Sequence, residues 1–192
     1  VPSKLVIMYN LDLDISHFPS QKDAEIWEIT VGNLLRKVAS ENPNAIAMID
    51  ILENGDCGQS WTYSELFAQG KRLAQCLATR FKVHDRVVIW APNIPEWVIM
   101  EYAAGLAGLI LVTANPSFQS SELRYVLEQS GAVGLFMVNE FRGNPMQEIA
   151  REATAGNALL REVVNLENME DLYAIGDNST DLPDIQPDDP AQ

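Results

Sequence analysis

From residue 86 onward, short apolar runs alternate with segments that carry helix-capping signals. The apolar runs, which predict strands, occupy 86–90, 110–114, 133–138 and 161–166. Helices are expected after Asn93, over 121–130 and from Asn144 to about Gly156. Strands that alternate with helices of this length join in parallel through right-handed crossovers, and both faces of their sheet are covered. We therefore predict an α/β fold in which helices flank a doubly wound, mostly parallel sheet.

Capping signals set the expected helix boundaries in this series. Asn93, with Glu96 three residues later, predicts the start of the first helix. Asn144 followed by Pro145 places a capping residue before a proline in the first helical position, which predicts another start. Gly131 is expected to end the helix between these two.

Ahead of the alternation, the pattern predicts two helices with a short hairpin between them. Thr30 is a good N-cap for a helix whose apolar face includes Val31 and Leu35. A strand over 45–52, the turn signal Asn54-Gly55 and a return strand near Trp61 make the hairpin. A capping box, Thr62 with Glu65, opens the next helix.

The charge of this 192-residue chain is uneven. The net charge is −14, and residues 163–192 hold eight acidic side chains and no basic one. Prolines at 183, 187 and 190 accompany them, which is typical of a solvated, extended connector. We predict an irregular arm over 1–29, an α/β subdomain over 30–175 and an acidic, proline-containing connector over 176–192. The irregular spacing of the aspartates does not match a calcium loop, so no metal site is predicted.

Composition excludes several functions. The acidic surplus disfavours nucleic acid as a partner. Two histidines leave little room for histidine catalysis, and the pair Cys57 and Cys76 suits a reducing compartment. We predict a cytoplasmic protein and leave an organelle matrix open, since a chain that starts at Val can lack its native N-terminus. The apolar stretch 97–114 carries the single charge Glu101; its glycines favour a buried helix and strand over a transmembrane segment.

The turns that follow the predicted strands lack the glycines of a phosphate loop. Neither 91–95 nor 115–118 contains glycine, and the prolines in both remove N–H donors. No catalytic motif is present, so no catalytic residue is assigned to this chain. His84 is interpreted as a turn residue and Cys76 as a packed thiol, while Arg142 lies in a loop where it could meet a phosphate.

The sequence resembles the N-terminal subdomain of AMP-forming acyl-CoA synthetases, a superfamily that includes aryl-CoA ligases, luciferases and peptide-synthetase adenylation domains. The stretches that carry the resemblance are 61–66, 85–97, 105–116, 121–123 and 129–132. Asn115-Pro116 together with Ser121-Glu122-Leu123 looks most like the fatty-acyl branch.

The resemblance implies an enzyme that uses ATP, magnesium and coenzyme A to convert a carboxylic acid, here a fatty acid, into its thioester. In such enzymes a stretch like 188–192 lies just before the phosphate loop, so this chain alone is expected to be inactive and to hold no cofactor. An aryl-CoA ligase or other adenylate-forming parent, and a natural truncated assembly module, are the alternatives. An apolar face exposed by truncation would cause dimerisation or other self-association.

Few functional residues of the family map onto this chain. Asn115, Pro116 and Ser117 look like the loop that lines the coenzyme A channel in some relatives, where acetate-activating members have glycine in place of Pro116. Arg142 falls near a loop that touches the nucleotide end of coenzyme A. His84 stands at a position usually held by glycine.

Overall fold

The computed structural model describes residues 26–52, 54–169, 172–173 and 180–191. Most of the predicted N-terminal arm, residues 1–25, and the predicted boundary at 175/176 lie outside the described residues, so both domain boundaries stay predictions. The elements in chain order are α1 (Val31–Glu41), β1 (Ile46–Ile51), β2 (Cys57–Thr62), α2 (Tyr63–Ala78), β3 (Arg86–Trp90), α3 (Pro95–Ala107), β4 (Ile110–Thr113), α4 (Ser120–Ser130), β5 (Gly134–Met137), α5 (Met146–Thr154), β6 (Glu162–Asn165) and a 3₁₀ turn (Leu166–Asn168).

The predicted doubly wound sheet is confirmed. Four parallel strands lie in the order β4-β3-β5-β6, with Val88 of β3 opposite Val112 and Leu135. From β3 the chain moves to β4 on one side and then crosses to β5 on the other. Right-handed crossovers in opposite directions place their helices on opposite faces. Accordingly α3 packs on α1 and α2, whereas α4 packs on α5.

The centre of the sheet is the core. Residues 87–90 of β3 are fully buried, as are Leu73, Leu77 and Phe136. Burying each side chain of this size contributes about 1.5–3 kcal/mol. Cys76 is buried as a packed thiol, as predicted. The apolar stretch 97–114 forms α3 and β4, and no helix in the described part of the chain is long and apolar enough to cross a membrane.

The predicted hairpin forms a separate two-stranded antiparallel sheet. Ile49 of β1 pairs with Ser60 of β2, and Gly55 in the turn has φ 85°. Most of β1 is not covered. We call its exposed apolar side chains the hairpin face: Ile46, Ile49, Ile51 and the adjoining Leu52.

Two of the predicted helix starts are confirmed and two are wrong. Thr30 and Thr62 cap α1 and α2. Asn93 does not cap α3, because Pro95 forces the preceding Ile94 into extended backbone and Ile94 takes the N-cap position. Asn144 does not cap α5, because Pro145 occupies that position and the helix begins at Met146. Gly131 ends α4 with φ 65°, as expected.

The described part of the acidic connector, residues 180–191, runs along the edge of the sheet at β4. The backbone N–H of Leu111 donates to the carbonyl of Ala191 at 2.9 Å. Ile185 packs so closely on Gly108 that a Cβ added to this glycine would overlap the Cδ1 of Ile185. The carboxylates of Asp181, Asp184 and Asp188 remain on exposed residues. An edge strand offers unpaired backbone groups, and this segment satisfies one of them, a contact that composition did not predict.

Candidate functional site

Three loops follow the carboxyl ends of the central strands: 91–94 after β3, 114–119 after β4 and 138–145 after β5. Because β3 lies between β4 and β5, these loops share one edge of the sheet. The direction of winding reverses at β3, and ligands of doubly wound sheets bind outside the carboxyl edge at such a reversal. The predicted site residues all lie in the second and third of these loops.

Hydrogen bonds from the core and within the loop itself fix the backbone of the loop after β4. The Nε1 of Trp90, a fully buried residue, donates to the Asn115 carbonyl at 2.8 Å. The same carbonyl accepts from the backbone N–H of Phe118 at 3.0 Å, and the Asn115 side-chain oxygen accepts from the Ser117 N–H at 2.9 Å. These two N–H groups are thereby used within the loop, and Pro116 has none. What the loop presents outward is the exposed residues Asn115 and Ser117.

The loop after β5 contains a tight turn, which we call the arginine turn: residues 141–144. Phe141 and Asn144 exchange backbone hydrogen bonds of 3.1 and 2.8 Å. Between them Arg142 has φ 50° and Gly143 has φ 78°. Two successive positive φ angles define the type I′ geometry that joins hairpin strands. The turn leaves Arg142 exposed, with its guanidinium carbon 5.1 Å from the centre of the Phe141 ring.

Asn144 joins the two loops. Its Nδ2 donates to the Pro116 carbonyl at 3.1 Å, and its Oδ1 accepts from Nε2 of Gln119 at 2.9 Å. The structure therefore brings the 115–117 loop and the turn that carries Arg142 together, although 25 residues separate Ser117 from Arg142. Sequence reasoning missed this role of Asn144. Gly143 could have indicated the turn, since glycine readily takes the positive φ that a type I′ turn requires, but no local signal predicts the partners of the Asn144 side chain.

The ionisable groups with raised pKa values lie elsewhere, in the middle of α3. Partial burial raises the pKa of Glu101. Burial, with the nearby Glu101 and Tyr63, raises the pKa of Tyr102, which faces Gly70 of α2. Within the described residues no group of three or more His, Cys, Asp or Glu side chains is placed to hold a metal ion. Among the described residues, the loop edge offers polar side chains, the guanidinium of Arg142 and the exposed carboxylate of Glu140 for contact with a ligand.

Two open cavities reach this edge, since Asn93 of the first loop lines one of them and Asn139 of the third loop lines the other. One of about 430 Å³ separates β1 from the start of α3, and Ile49, Ile51 and Trp97 contribute to its wall. The other, of about 440 Å³, lies beside β6 and α5 and is lined by amides and Arg151. The first is continuous with the hairpin face. Arg142 contributes to neither of them.

The fold is that of the N-terminal subdomain of adenylate-forming enzymes. The chain superposes on the Mycobacterium tuberculosis fatty acyl CoA synthetase with a TM-score of 0.70 and 20% identity, over 83% of this chain and 31% of that one. It also superposes on the Klebsiella oxytoca NpsA N-terminal subdomain in complex with anthranilyl-AMSN, with a TM-score of 0.65 and 21% identity, over 86% of this chain and 37% of that one.

The sequence places the chain in a family. The family model described as AMP-binding enzyme matches residues 35–192, more than half of the chain, and the chain therefore belongs to the AMP-binding enzyme family. A similar relative is the mitochondrial medium-chain acyl-CoA ligase ACSF2 of Rattus norvegicus, 31% identical over 139 residues. That match covers 72% of this chain and 22% of the relative, so the chain spans under a quarter of the relative's length.

Proposed function

We propose that this chain is the N-terminal part of an ATP-dependent acyl-CoA synthetase. The observation that carries the proposal is the 31% identity to a medium-chain acyl-CoA ligase over 72% of the chain, within a family match over 35–192. In such an enzyme the carboxylate of the acid attacks the α-phosphorus of ATP and displaces pyrophosphate. The thiol of coenzyme A then attacks the acyl carbonyl and displaces AMP.

The contribution proposed for this chain is to bind coenzyme A. Asn115, Pro116 and Ser117 would line the channel, and Arg142 would meet a phosphate at the nucleotide end. Support comes from Asn144, which holds these two loops side by side. An exposed guanidinium on a rigid turn forms charge-assisted hydrogen bonds with phosphate without a large ordering cost. Phosphate-loop, ATP-binding and magnesium-binding residues are proposed to belong to other parts of the synthetase, so the isolated 192 residues are expected to be inactive.

The proposed substrate is a fatty acid. The relative's name, medium-chain acyl-CoA ligase, supports it. An aryl acid is the second candidate, since the same fold occurs in a subdomain solved with anthranilyl-AMSN. Because both kinds of enzyme share this fold, the fold does not distinguish a fatty acid from an aryl acid as the substrate. A substrate assay is needed to distinguish them.

Carboxylate-dependent exchange of labelled pyrophosphate into ATP tests the proposal. The synthetase containing this chain is assayed with octanoate, palmitate, benzoate and anthranilate, and the 192-residue chain serves as the control. Exchange with the fatty acids and formation of their coenzyme A thioesters are expected, with none from the control. Exchange with aryl acids alone would select the second candidate. Exchange by the isolated chain would contradict the assignment of ATP binding to other parts of the protein.

The hairpin face is proposed to cause self-association of the isolated chain. Ile49 is 48% exposed and Ile51 is 61% exposed, and they border an open apolar cavity. Light scattering should detect dimers or larger species that disappear in I49S/I51S. Y125S is the control, because Tyr125 is 65% exposed on a different element, α4. Sequencing the gene beyond the codon for Gln192 separates a synthetase from a truncated assembly module that uses the same face.

A location in the cytoplasm or in an organelle matrix is proposed. The rat relative is named as a mitochondrial protein. Cys57 is exposed and Cys76 is buried, and neither forms a disulfide bond, as is usual in a reducing compartment. Imaging the protein tagged at its C-terminus, with its native N-terminus intact, tests the location; a secreted product would contradict it.

A further inference from the structure

Both the NH₂ group and the oxygen of the Asn144 side-chain amide form hydrogen bonds, each with a different residue of the loop after β4. The Nδ2 group bonds the Pro116 carbonyl at 3.1 Å, and Oδ1 bonds Nε2 of Gln119 at 2.9 Å. Its backbone closes the arginine turn through two hydrogen bonds with Phe141. One residue thus belongs to the turn through its backbone and to the neighbouring loop through its side chain.

This double attachment connects Arg142 to the core of the sheet. The loop after β4 is fixed by the bond from buried Trp90 to the Asn115 carbonyl. Asn144 fixes the arginine turn to the next residue, Pro116. The turn itself has only two residues between its paired ends, so little freedom remains in the backbone of Arg142. The turn therefore holds the Cα of Arg142 in a defined position relative to the 115–117 loop, with the side chain exposed.

We infer that Asn144 is a positioning residue, which holds Arg142 beside the 115–117 loop so that both contact one anionic ligand. The inference rests on the proposed function, and the ligand is the nucleotide end of coenzyme A. Loops fixed before binding lose less conformational entropy when the ligand arrives, which lowers the ligand's dissociation constant. The amide is needed because the position requires one donor and one acceptor. Aspartate supplies only the acceptor, and alanine supplies neither.

Kinetics of the synthetase that contains this chain test the inference. N144A removes both side-chain bonds and should raise the KM for coenzyme A by about tenfold, because the loosened turn must then be ordered when the ligand binds. It should leave pyrophosphate exchange, which needs no coenzyme A, unchanged. N144D should be at least as impaired as N144A, since a carboxylate cannot donate to the Pro116 carbonyl. With pantetheine, which lacks the nucleotide end, the penalty should disappear.

Two comparisons separate positioning from general damage. R142A should raise the KM for coenzyme A, and R142A/N144A should be no worse than R142A, because residues that act through one another are non-additive. N157A is the matched control, since within the described part of the chain the Asn157 side chain bonds only the nearby N–H groups of Leu159 and Leu160. It should leave the KM for coenzyme A unchanged.

The alternative outcomes are distinct. An unchanged KM in N144A, additive effects in the double variant, or an equal loss in pyrophosphate exchange overturns the positioning role and leaves the proposed function intact. If the unmodified synthetase shows neither pyrophosphate exchange nor formation of the coenzyme A thioester, the proposed function is overturned and this inference with it. In the isolated chain, ¹⁵N relaxation should detect faster motion at 141–143 in N144A than in N157A; equal motion in both contradicts the attachment itself.

Discussion

The indole Nε1 of Trp90 donates a 2.8 Å hydrogen bond to the carbonyl oxygen of Asn115. Trp90 is fully buried at the end of the central strand β3, and Asn115 begins the loop that follows the neighbouring strand β4. The bond therefore connects the rigid centre of the sheet with the candidate binding loop. The stability of that loop depends on the core directly beneath it.

W90F should destabilise the protein more than W61F. Both substitutions remove the same atoms from a buried tryptophan, but Trp61 Nε1 is buried without a hydrogen-bond partner among the described residues. W90F alone loses a hydrogen bond, so its free energy of unfolding should fall by about 1 kcal/mol more than that of W61F. Urea titration followed by circular dichroism measures both. Equal losses would mean that the Trp90–Asn115 bond contributes nothing net.

Two helical glycines should respond to alanine with opposite signs. A Cβ at Gly70 in α2 would lie 3.5 Å from the Cβ of Tyr102, an ordinary contact, so G70A should gain up to about 1 kcal/mol from helix propensity. A Cβ at Gly32 in α1 would lie 2.7 Å from Cδ2 of Leu106 and 3.3 Å from its backbone. G32A should therefore lose about 1–3 kcal/mol through overpacking. Thermal unfolding measures the change in Tm for each variant. Changes of the same sign in G70A and G32A would contradict the packing described between α1, α2 and α3.

The capping box at the start of α2 should make stability depend on pH. The Thr62 N–H and hydroxyl both donate to the Glu65 carboxylate at 2.8 Å. These bonds hold the pKa of Glu65 below its usual value. A lowered folded-state pKa contributes stability above the unfolded-state pKa of about 4.3, and that stability is lost as pH falls through the lower folded-state value.

The matched variant for this pH dependence is E65Q, which keeps an acceptor oxygen but does not titrate. Urea midpoints measured from pH 7 down to pH 3 should therefore fall more steeply in the unmodified chain than in E65Q. Parallel curves would remove Glu65 as a source of the pH dependence. T62A should lose about 1 kcal/mol at neutral pH, as is usual for removal of an N-cap.

Glycine at position 84 should stabilise the chain. His84 has φ 68°, a left-handed conformation that costs a non-glycine residue about 1–2 kcal/mol. Its Nε2 lies 3.4 Å from a carboxylate oxygen of Asp189, a partly exposed contact of the kind that contributes about 0–1 kcal/mol. H84G should therefore gain about 0.5–1 kcal/mol net, since glycine also adds freedom to the unfolded chain.

D189N isolates the contribution of the Asp189 carboxylate in this comparison, because it removes the negative charge while keeping an oxygen that accepts from the Gln186 N–H. It should lose less than about 1 kcal/mol. Both variants are compared by thermal unfolding at pH 7. If H84G loses stability by more than D189N, the contact with Asp189 outweighs the backbone conformation.

Much of the fold could be predicted, because its signals are local. The alternation from residue 86, the hairpin turn at Asn54-Gly55 and the caps Thr30, Thr62 and Gly131 each depend on neighbours within a few residues. The two wrong caps show where local rules compete. At Asn93 the backbone restriction imposed by Pro95 prevailed over the capping pattern. At Asn144 the helix starts one residue later than the pattern predicts, with Pro145 as the N-cap, and the Asn144 side chain bonds the Pro116 carbonyl instead.

The sequence by itself determined the class of fold, the local starts and ends of most elements, and which loop residues were candidates for contact with coenzyme A. Only the tertiary structure decided that Asn144 binds the Pro116 carbonyl, that Trp90 supports Asn115, and that residues 180–191 run along the β4 edge. The reason is physical. Propensity, capping and periodicity act between near neighbours, whereas a side chain's hydrogen-bond partner depends on the order in which distant strands pack.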